Sequence, residues 1–341
     1  MIKELKKKIL ILKKSKKKKV FYFGNTVKKE TNRFYITPIN ENKRFIYFGA
    51  IIFSNYHAKK ISKLIDGKVD FVLVDVEKKV FSKKKSELVN IERSVKDTIK
   101  KTKIFMYKGN DLAVQACETL INSIYTNDVR GVGGKNVLVL GSGNIGFKIS
   151  QKIVESGGNV FMYRRDKKIL DKIVFSINAL SPKATMAKAI KLNNFDKNLR
   201  QFDLIIGATN GKSIIKSNHV EKFKSNVIVI DVGKGIFEKR ALDLAIQKNI
   251  NLFRLDVTPA YNGYLENISS TEVFNNLNLV KSKISKNYNL IKKGILGKSG
   301  SIIVDNVNSP KKVLGIADGK GSFKKNKERE ILDISKLIIK T

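Results

Sequence analysis

The stretch "VLVLGSGNIG", residues 137–146, runs from an apolar segment directly into three glycines. A short apolar run that ends at a turn signal predicts a buried strand. An isoleucine then recurs at every fourth position, which gives the following segment one apolar helical face. Gly141, Gly143 and Gly146 are therefore predicted to lie in a sharp turn between a strand and a helix.

The spacing of these glycines matches the G-x-G-x-x-G pattern, in which each glycine has a separate task. The first permits the tight turn, the second lets backbone N–H groups approach a pyrophosphate, and the third lets the helix pack closely on the strand. The start of the helix adds free N–H groups and the positive end of its dipole. A purely structural turn is the alternative. We predict that a dinucleotide contacts Gly141, Ser142, Gly143, Asn144, Ile145 and Gly146.

The end of the next strand, "NVFMYRR" at 159–165, bears on the choice of dinucleotide. An acidic residue about 20 positions after the glycines is typical of NAD sites, whereas arginine accommodates the 2′-phosphate of NADP. Arg164 and Arg165 stand there in a chain that has only ten arginines. We predict an NADP site held by this pair. NAD stays possible, with Asp166 binding the ribose.

The pattern of apolar runs predicts an α/β fold built on a Rossmann doubly wound parallel sheet, with a second α/β domain and a C-terminal helix plus hairpin. The predicted domains are an N-terminal α/β domain with a connecting helix (1–125), a Rossmann domain (126–262) and a C-terminal extension (263–341). Further predicted elements are Rossmann strands at 184–190, 202–209, 226–233 and 250–257, N-terminal strands at 44–53 and 70–76, helices at 55–65, 82–100, 110–124 and 270–284, and a hairpin turning near residue 309.

Composition limits the classes of partner. Lysine and arginine number 68 against 30 acidic residues, a net charge of +38, which would favour a polyanion partner. Lysine supplies most of this excess. The chain is also rich in asparagine and isoleucine, a composition that an A/T-rich genome encodes. Runs of charge usually only solvate a protein surface. We therefore expect a small-molecule substrate, no nucleic acid, no membrane partner, a cytoplasmic location and a possible homo-oligomer.

The single cysteine excludes an internal disulfide and a cysteine-cluster metal site. Cys117 lies on an apolar helical face in "LAVQACETLI", so we expect a buried, inert thiol. The two histidines, His57 and His219, fall in different predicted domains, and we expect both to be ordinary structural residues. No metal site is predicted.

From about residue 107 to 240 the order of features resembles the NAD(P) domain shared by S-adenosylhomocysteine hydrolases, methylenetetrahydrofolate dehydrogenases and amino-acid or hydroxy-acid dehydrogenases. Gly134 and Lys135 precede the first strand, and "DLIIGATNGKSIIKSNHVEKFKSNVIVIDVG" is similar to the hydrolase pattern after the fourth strand. The resemblance is at the level of the fold. It implies a two-domain enzyme with its cofactor in the cleft.

A turn after the fourth Rossmann strand is predicted to pass near the nicotinamide ribose. Its residues are Ala208, Thr209 and Asn210. The same stretch contains Gly-Lys-Ser, but Gly207 and Gly211 enclose three residues where a P-loop needs four. Nucleotide hydrolysis is therefore disfavoured.

Three residues are candidates for catalysis because they fall where the cleft is expected. Lys108 begins the connecting helix and could polarise a carbonyl or exchange a proton. Asp231 ends the fifth strand, and Tyr261 follows the sixth in a polar and aromatic stretch. The alternative for Lys108 is an ordinary solvated lysine, and the alternative for the segment of Tyr261 is a structural turn.

These features lead to an NAD(P)-dependent dehydrogenase or reductase as the first hypothesis. A hydrolase or lyase that keeps NAD tightly bound, as in enzymes resembling S-adenosylhomocysteine hydrolase, is the second. A non-catalytic dinucleotide sensor with a polyanion-binding surface is the third. Fold resemblance does not decide the substrate.

Overall fold

The computed structural model describes residues 2–82, 89–276, 282–285 and 287–339. The chain divides into two compact units, residues 1–263 and 264–341, and the boundary falls within one helix. The first unit contains two six-stranded β-sheets, whose strands are mainly parallel, and a separate two-stranded pair. Each unit is described in turn.

The first sheet belongs to the N-terminal part of unit 1. Its strands lie in the order β3-β5-β1-β6-β8, with β1, β5, β6 and β8 parallel and β3 and β4 antiparallel to β5. A separate short pair joins β2 to β7. The strands are β1 (Lys18–Gly24), β2 (Lys28–Lys29), β3 (Tyr35–Ile36), β4 (Asn40–Glu41), β5 (Phe45–Ile51), β6 (Phe71–Asp75), β7 (Val80–Phe81) and β8 (Lys103–Tyr107). The helices of this part are α1 (Ile2–Lys14), α2 (Asn55–Ile65), α3 (Ile91–Thr98) and α4 (Gly109–Ile124).

Residues 2–24 form a helix and the central strand of this sheet, which the sequence did not predict. Helix α1 buries Leu5, Ile9 and Leu12 in the same core cluster as Phe21 and Phe23 of the central strand β1. The lysine run between α1 and β1 therefore connects two packed elements. A strand that begins with lysines can still be buried on both faces, because only its first two residues, Lys18 and Lys19, stay outside the core.

The predicted helix at 82–100 is much shorter in the structure. Helix α3 covers Ile91–Thr98 and begins at Asn90, whose side chain accepts a hydrogen bond from the backbone N–H of Arg93. Asparagine is a favoured residue at this position because its oxygen satisfies a free N–H group at the helix start. Residues 83–88 lie outside the described residues.

The second sheet confirms the predicted Rossmann fold. Its six strands are all parallel in the order β11-β10-β9-β12-β13-β14, which is the 3-2-1-4-5-6 order of dinucleotide-binding sheets. The strands are β9 (Asn136–Leu140), β10 (Asn159–Tyr163), β11 (Ala189–Leu192), β12 (Leu204–Gly207), β13 (Ile228–Asp231) and β14 (Asn251–Arg254). The helices are α5 (Asn144–Glu155), α6 (Lys167–Leu180), α7 (Ser217–Val220) and α8 (Lys239–Gln247), with a short 3-10 turn at Leu199–Gln201. The third strand begins at residue 189, later than the predicted 184–190 segment.

Unit 2 has a small core of its own. Helix α9 (Thr258–Asn276) crosses the boundary and ends before the predicted helical segment does, because Ser282–Ser285 form strand β15. Residues 277–281 lie outside the described residues. Strands β16 (Tyr288–Lys292), β17 (Ile302–Val304) and β18 (Val313–Ile316) complete a four-stranded sheet, and helix α10 (Glu328–Ile338) packs on β18. The antiparallel pair of β17 and β18 is the predicted hairpin.

Within the described residues, no helix combines the length and the apolar character that crossing a membrane requires.

The burial of helix α1 leads to a stability prediction. Leu12 is fully buried, whereas Leu10 on the same helix is 59% exposed. Leu12→Ala should lower the free energy of unfolding by about 2–5 kcal/mol, because it removes buried methyl groups and leaves a cavity. Leu10→Ala should change it by less than about 0.5 kcal/mol. Urea denaturation followed by circular dichroism measures both, and equal effects would show that α1 does not contribute to the core.

Candidate functional site

The glycine turn after β9 has the geometry that its spacing predicts. Gly141 has a φ of +101°, a conformation that side chains disfavour. A Cβ on Gly146 would lie only 1.9 Å from the carbonyl oxygen of Gly141, so helix α5 packs directly on the turn. Gly143 stands at the N-terminus of α5, and a Cβ there would meet no atom within 4 Å. The first and third glycines are thus required by packing, while the second borders open space.

The turn after β12 lies against the glycine turn. A Cβ on Gly141 would be 2.7 Å from the carbonyl oxygen of Ala208, and one on Gly233 would be 1.8 Å from that of Thr209. Thr209 Oγ1 donates a hydrogen bond of 3.0 Å to the carbonyl oxygen of Lys212, which closes this turn on itself. The ends of β9, β12 and β13 therefore form one closely packed edge, and Asn210 belongs to the same turn.

Asp231 at the end of β13 shapes the neighbouring loop. Its Oδ2 accepts hydrogen bonds from the backbone N–H groups of Gly235 at 2.6 Å and Ile236 at 3.2 Å. Its Oδ1 is buried without a hydrogen-bond partner among the described residues. One oxygen thus has a structural task, and the catalytic role assigned to this residue stays a prediction.

The arginine pair lies beside the glycine turn. Arg164 Nη1 donates a hydrogen bond of 2.9 Å to the backbone carbonyl of Ser142, so the guanidinium is held against the turn. Arg165 is exposed at the end of the strand. Asp166, the alternative ribose ligand, begins helix α6 and accepts a hydrogen bond of 3.0 Å from the backbone N–H of Ile169. Its carboxylate therefore already has a local partner.

Tyr261 lies in a cluster of tyrosine rings on the first sheet. Its ring centroid is 4.8 Å from Tyr22, 5.4 Å from Tyr107 and 6.2 Å from Tyr47. Burial raises the pKa of Tyr261 well above its usual value, and the neighbouring Tyr107, with which its hydroxyl is hydrogen bonded, raises it further. A phenol in this state keeps its proton near neutral pH. Its catalytic role stays a prediction, and its visible task is to join the start of α9 to the first sheet.

Lys108 immediately precedes helix α4 at the carboxyl end of β8. Its side chain is exposed and forms no capping hydrogen bond. The structure therefore places it at an open edge of the first sheet, and its role also stays a prediction.

A polar cluster at the same edge was missed by the sequence analysis. Asp75 ends β6 with a side chain that is 2% exposed, and Lys79 Nζ lies 2.9 Å from its Oδ2 and 2.8 Å from Glu77 Oε2. Burial raises the pKa of Asp75, while the charge and the hydrogen bond of Lys79 oppose that shift. The two carboxylates also accept the first backbone N–H groups of α4, at 3.4 Å from Gly109 and 2.8 Å from Asn110.

The topology of the first sheet explains why this cluster lies in a crevice. After β1 the chain continues to β5 on one side and later to β6 on the other side of β1. Ligands of open α/β sheets bind outside the carboxyl ends of strands at such a switch point. Asn25 directly follows β1, and Asn25, Asp75, Glu77 and Lys79 line one small cleft there. The rule of polar residues at strand ends, applied to 70–76, could have identified Asp75.

Helix α4 brings the carboxyl edges of the two sheets together. It packs alongside α5, with ion pairs between Asp111 and Lys148 and between Glu118 and Lys152, the latter at 2.8 Å. At the starts of the two helices, Asn110 Nδ2 donates to Asn144 Oδ1 at 3.5 Å. The polar cleft of the first sheet and the glycine turn of the second therefore lie next to each other.

The histidines and the cysteine have local explanations. His219 accepts a hydrogen bond from the N–H of Lys216 at Nδ1 and faces Asp196 at 3.1 Å through Nε2, while burial lowers its pKa. His57 contacts Ser54 Oγ at 3.0 Å. Burial raises the pKa of Cys117 to about 12, so the thiol is inert. Among the residues that the structure describes, no group of three or more acidic, histidine or cysteine side chains could hold a metal ion.

Fold and site together define an NAD(P)-binding Rossmann domain. Residues 112–267 match the family model of the S-adenosyl-L-homocysteine hydrolase NAD binding domain. The match begins within α4 and spans the whole second sheet, which confirms the fold-level resemblance. The family match and the strand order are both those of a domain that binds a nicotinamide dinucleotide.

Three solved structures show structural similarity to this chain at low sequence identity. A dipicolinate synthase structure from Bacillus halodurans is 13% identical, with 74% of this chain and 97% of that protein covered and a TM-score of 0.37. A shikimate dehydrogenase in complex with NADP+ is 14% identical, with 70% and 84% covered and a TM-score of 0.38. An NAD-complexed D-isomer specific 2-hydroxyacid dehydrogenase from Lactobacillus delbrueckii ssp. bulgaricus is 13% identical, with 60% and 63% covered and a TM-score of 0.32.

Two glycine variants should separate packing from binding. Gly146→Ala should destabilise the protein, because its Cβ would collide with the Gly141 carbonyl oxygen. Gly143→Ala should leave the melting temperature nearly unchanged, since its φ of −80° suits alanine and the space around it is open. It should nevertheless weaken dinucleotide binding at least tenfold by obstructing the phosphates. Thermal melts and nicotinamide fluorescence titrations provide the two readouts. Unchanged affinity in Gly143→Ala would place the phosphates elsewhere.

Proposed function

We propose that the protein is an NADP-dependent dehydrogenase or reductase that acts on a small molecule between the carboxyl edges of the parallel strands in its two large sheets. The observation that carries the proposal is the contact between Asn110 and Asn144, which joins the start of α4 to the start of α5. A dinucleotide on the glycine turn would then extend towards the polar cleft of the first sheet. Residues 1–125 would act as the substrate domain and residues 126–262 as the cofactor domain.

The backbone would hold the phosphates of the dinucleotide. Helix α5 starts with Asn144, and the open space at Gly143 lets a pyrophosphate approach its free N–H groups. Ala208, Thr209 and Asn210 would lie along the nicotinamide half. When bound, the nicotinamide supplies the hydride chemistry. The chain itself orients the substrate, excludes water and supplies a proton, for which Lys108, Asp231 and Tyr261 are the proposed residues.

The preference for NADP is supported by the residues at the end of β10. Arg164 is held by the Ser142 carbonyl at one nitrogen, and guanidinium carries further N–H groups that can face a phosphate. Arg165 is exposed beside it, while Asp166 is engaged by the start of α6. A 2′-phosphate would therefore meet two positive charges and no free carboxylate from this segment.

A second candidate function follows from the family match. An enzyme with a domain of the S-adenosyl-L-homocysteine hydrolase type could keep NAD permanently bound and use it within a hydrolase or lyase cycle. The two functions differ in cofactor retention. If the second holds, protein dialysed against cofactor-free buffer and then denatured should release close to one equivalent of NAD, whereas an NADP-dependent reductase should release little.

The arginine assignment leads to a binding prediction. Arg164→Ala/Arg165→Ala should weaken NADPH binding by about tenfold to a hundredfold, because a hydrogen bond to a charged group contributes about 1.5–3 kcal/mol. NADH binding should change by less than about threefold, since NADH lacks the 2′-phosphate. Fluorescence titration at moderate salt measures both cofactors.

Lys168→Ala provides the matched control, because it removes one positive charge from the exposed start of α6. It should reduce NADPH affinity only slightly. Equal losses for NADPH and NADH in the double variant, or an equal loss in Lys168→Ala, would contradict the assignment of the pair to the 2′-phosphate.

A further inference from the structure

The cleft at the carboxyl ends of β1 and β6 contains a polar atom that the protein itself does not satisfy. Asn25 is 6% exposed, and its Oδ1 has no hydrogen-bond partner among the described residues. Buried polar groups are nearly always hydrogen bonded, so a lone acceptor of this kind calls for an explanation such as a ligand or a water molecule. Asn25 lines the cleft, so this buried acceptor lies in the cleft wall.

A hydrogen-bond donor stands in the same cleft. Lys79 Nζ contacts Asp75 and Glu77 at 2.9 Å and 2.8 Å, and an ammonium group has three hydrogens. Among the described residues its ion pairs are these two, which leaves the third hydrogen for a further acceptor. The two carboxylates fix the ammonium in place, because each also accepts a backbone N–H group at the start of α4.

The charges that line the cleft disfavour an anion. Three carboxylates, those of Asp75, Glu77 and Glu92, face two lysines. Lys78 is itself bound to Glu92 at 3.0 Å, so both lysines already have acidic partners. The cleft as a whole carries one net negative charge. A carboxylate would meet repulsion there, whereas an uncharged group that both donates and accepts a hydrogen bond would find both partners.

We propose that this cleft, formed by Asn25, Asp75, Glu77 and Lys79, binds an uncharged hydroxyl group of the substrate. The hydroxyl donates to Asn25 Oδ1 and accepts from Lys79 Nζ. The inference rests on the proposed function, since a hydroxyl is the reduced form of a carbonyl group that hydride transfer would create. It narrows the substrate class to small alcohols and their carbonyl counterparts that do not present a carboxylate to this cleft. Asn25 acts as a positioning residue.

The test uses three small probes that share a secondary hydroxyl and a three-carbon skeleton: 1,2-propanediol, 1-amino-2-propanol and lactate. Saturation-transfer NMR is recorded on the full chain with excess NADPH, so that alcohol probes cannot be oxidised. The expected result is the strongest transfer to 1,2-propanediol and at least threefold less to lactate. Equal or stronger transfer to lactate, or the strongest transfer to 1-amino-2-propanol, would overturn the assignment of an uncharged hydroxyl.

Variants of Asn25 test the site itself. Asn25→Leu should abolish probe saturation, because it replaces the buried amide oxygen that has no partner among the described residues with an apolar side chain of similar size. Asn25→Ala keeps the test valid if leucine does not fit. Ser62→Ala is the control, since it removes another unpartnered buried oxygen, on helix α2. It should leave the probe signals unchanged.

The outcomes separate this inference from the proposed function. NADPH titrations of the same samples should give the same affinity for wild type and Asn25→Leu, because Asn25 does not contact the glycine turn. Wild-type protein that binds 1,2-propanediol but no NADPH would overturn the proposed function and leave the hydroxyl site intact. Wild-type and Asn25→Leu proteins with equal probe signals would overturn the hydroxyl site, and the amide would then be satisfied by solvent.

Discussion

The site depends on one constraint, which is that the backbone of Gly146 packs directly against the backbone of Gly141. A side chain at residue 146 would have to occupy the position of the Gly141 carbonyl oxygen, so helix α5 can approach β9 only without one. The same kind of contact recurs between Gly141 and Ala208 and between Gly233 and Thr209. The ends of three neighbouring strands thereby pack into one compact edge. Of the three glycines in the turn, Gly143 is the one that faces open space, which leaves the start of α5 free for a ligand.

The two helices that meet at this edge differ in what occupies their N-termini. Helix α4 receives Asp75 and Glu77, which accept its first N–H groups and oppose its positive dipole end. At the start of α5, Gly143 provides no side-chain cap. An anion such as a pyrophosphate therefore finds its favourable environment at α5. The polar cleft beside α4, already rich in carboxylates, is suited to a neutral group instead.

How far the sequence predicted the molecule depended on the surroundings of each strand. The Rossmann strands were recognised because uniformly apolar runs such as 227–230 stand between clear turn signals. Strand β1 was missed because a lysine run leads directly into it, although Phe21 and Phe23 are fully buried. Without β1 there was no switch point in the first sheet, and Asn25 could not be singled out. Contacts such as that of Arg164 with Ser142 arise only from three-dimensional folding.

The arginine pair shows that the composition of a chain affects how much one residue indicates about function. In a chain with 68 basic residues, of which ten are arginines, a lysine at a strand end indicates little about function, whereas two adjacent arginines are unusual. Arginine also differs from lysine in geometry, because its planar group offers several N–H donors in fixed directions. Arg164 uses one donor to hold the Ser142 carbonyl, which fixes the guanidinium beside the turn. A lysine in this position would carry a compact point charge on a flexible chain. The planar guanidinium of arginine instead keeps several further N–H donors in fixed directions. The hydrogen bond to the Ser142 carbonyl therefore preorganises a positive charge next to the predicted phosphate position.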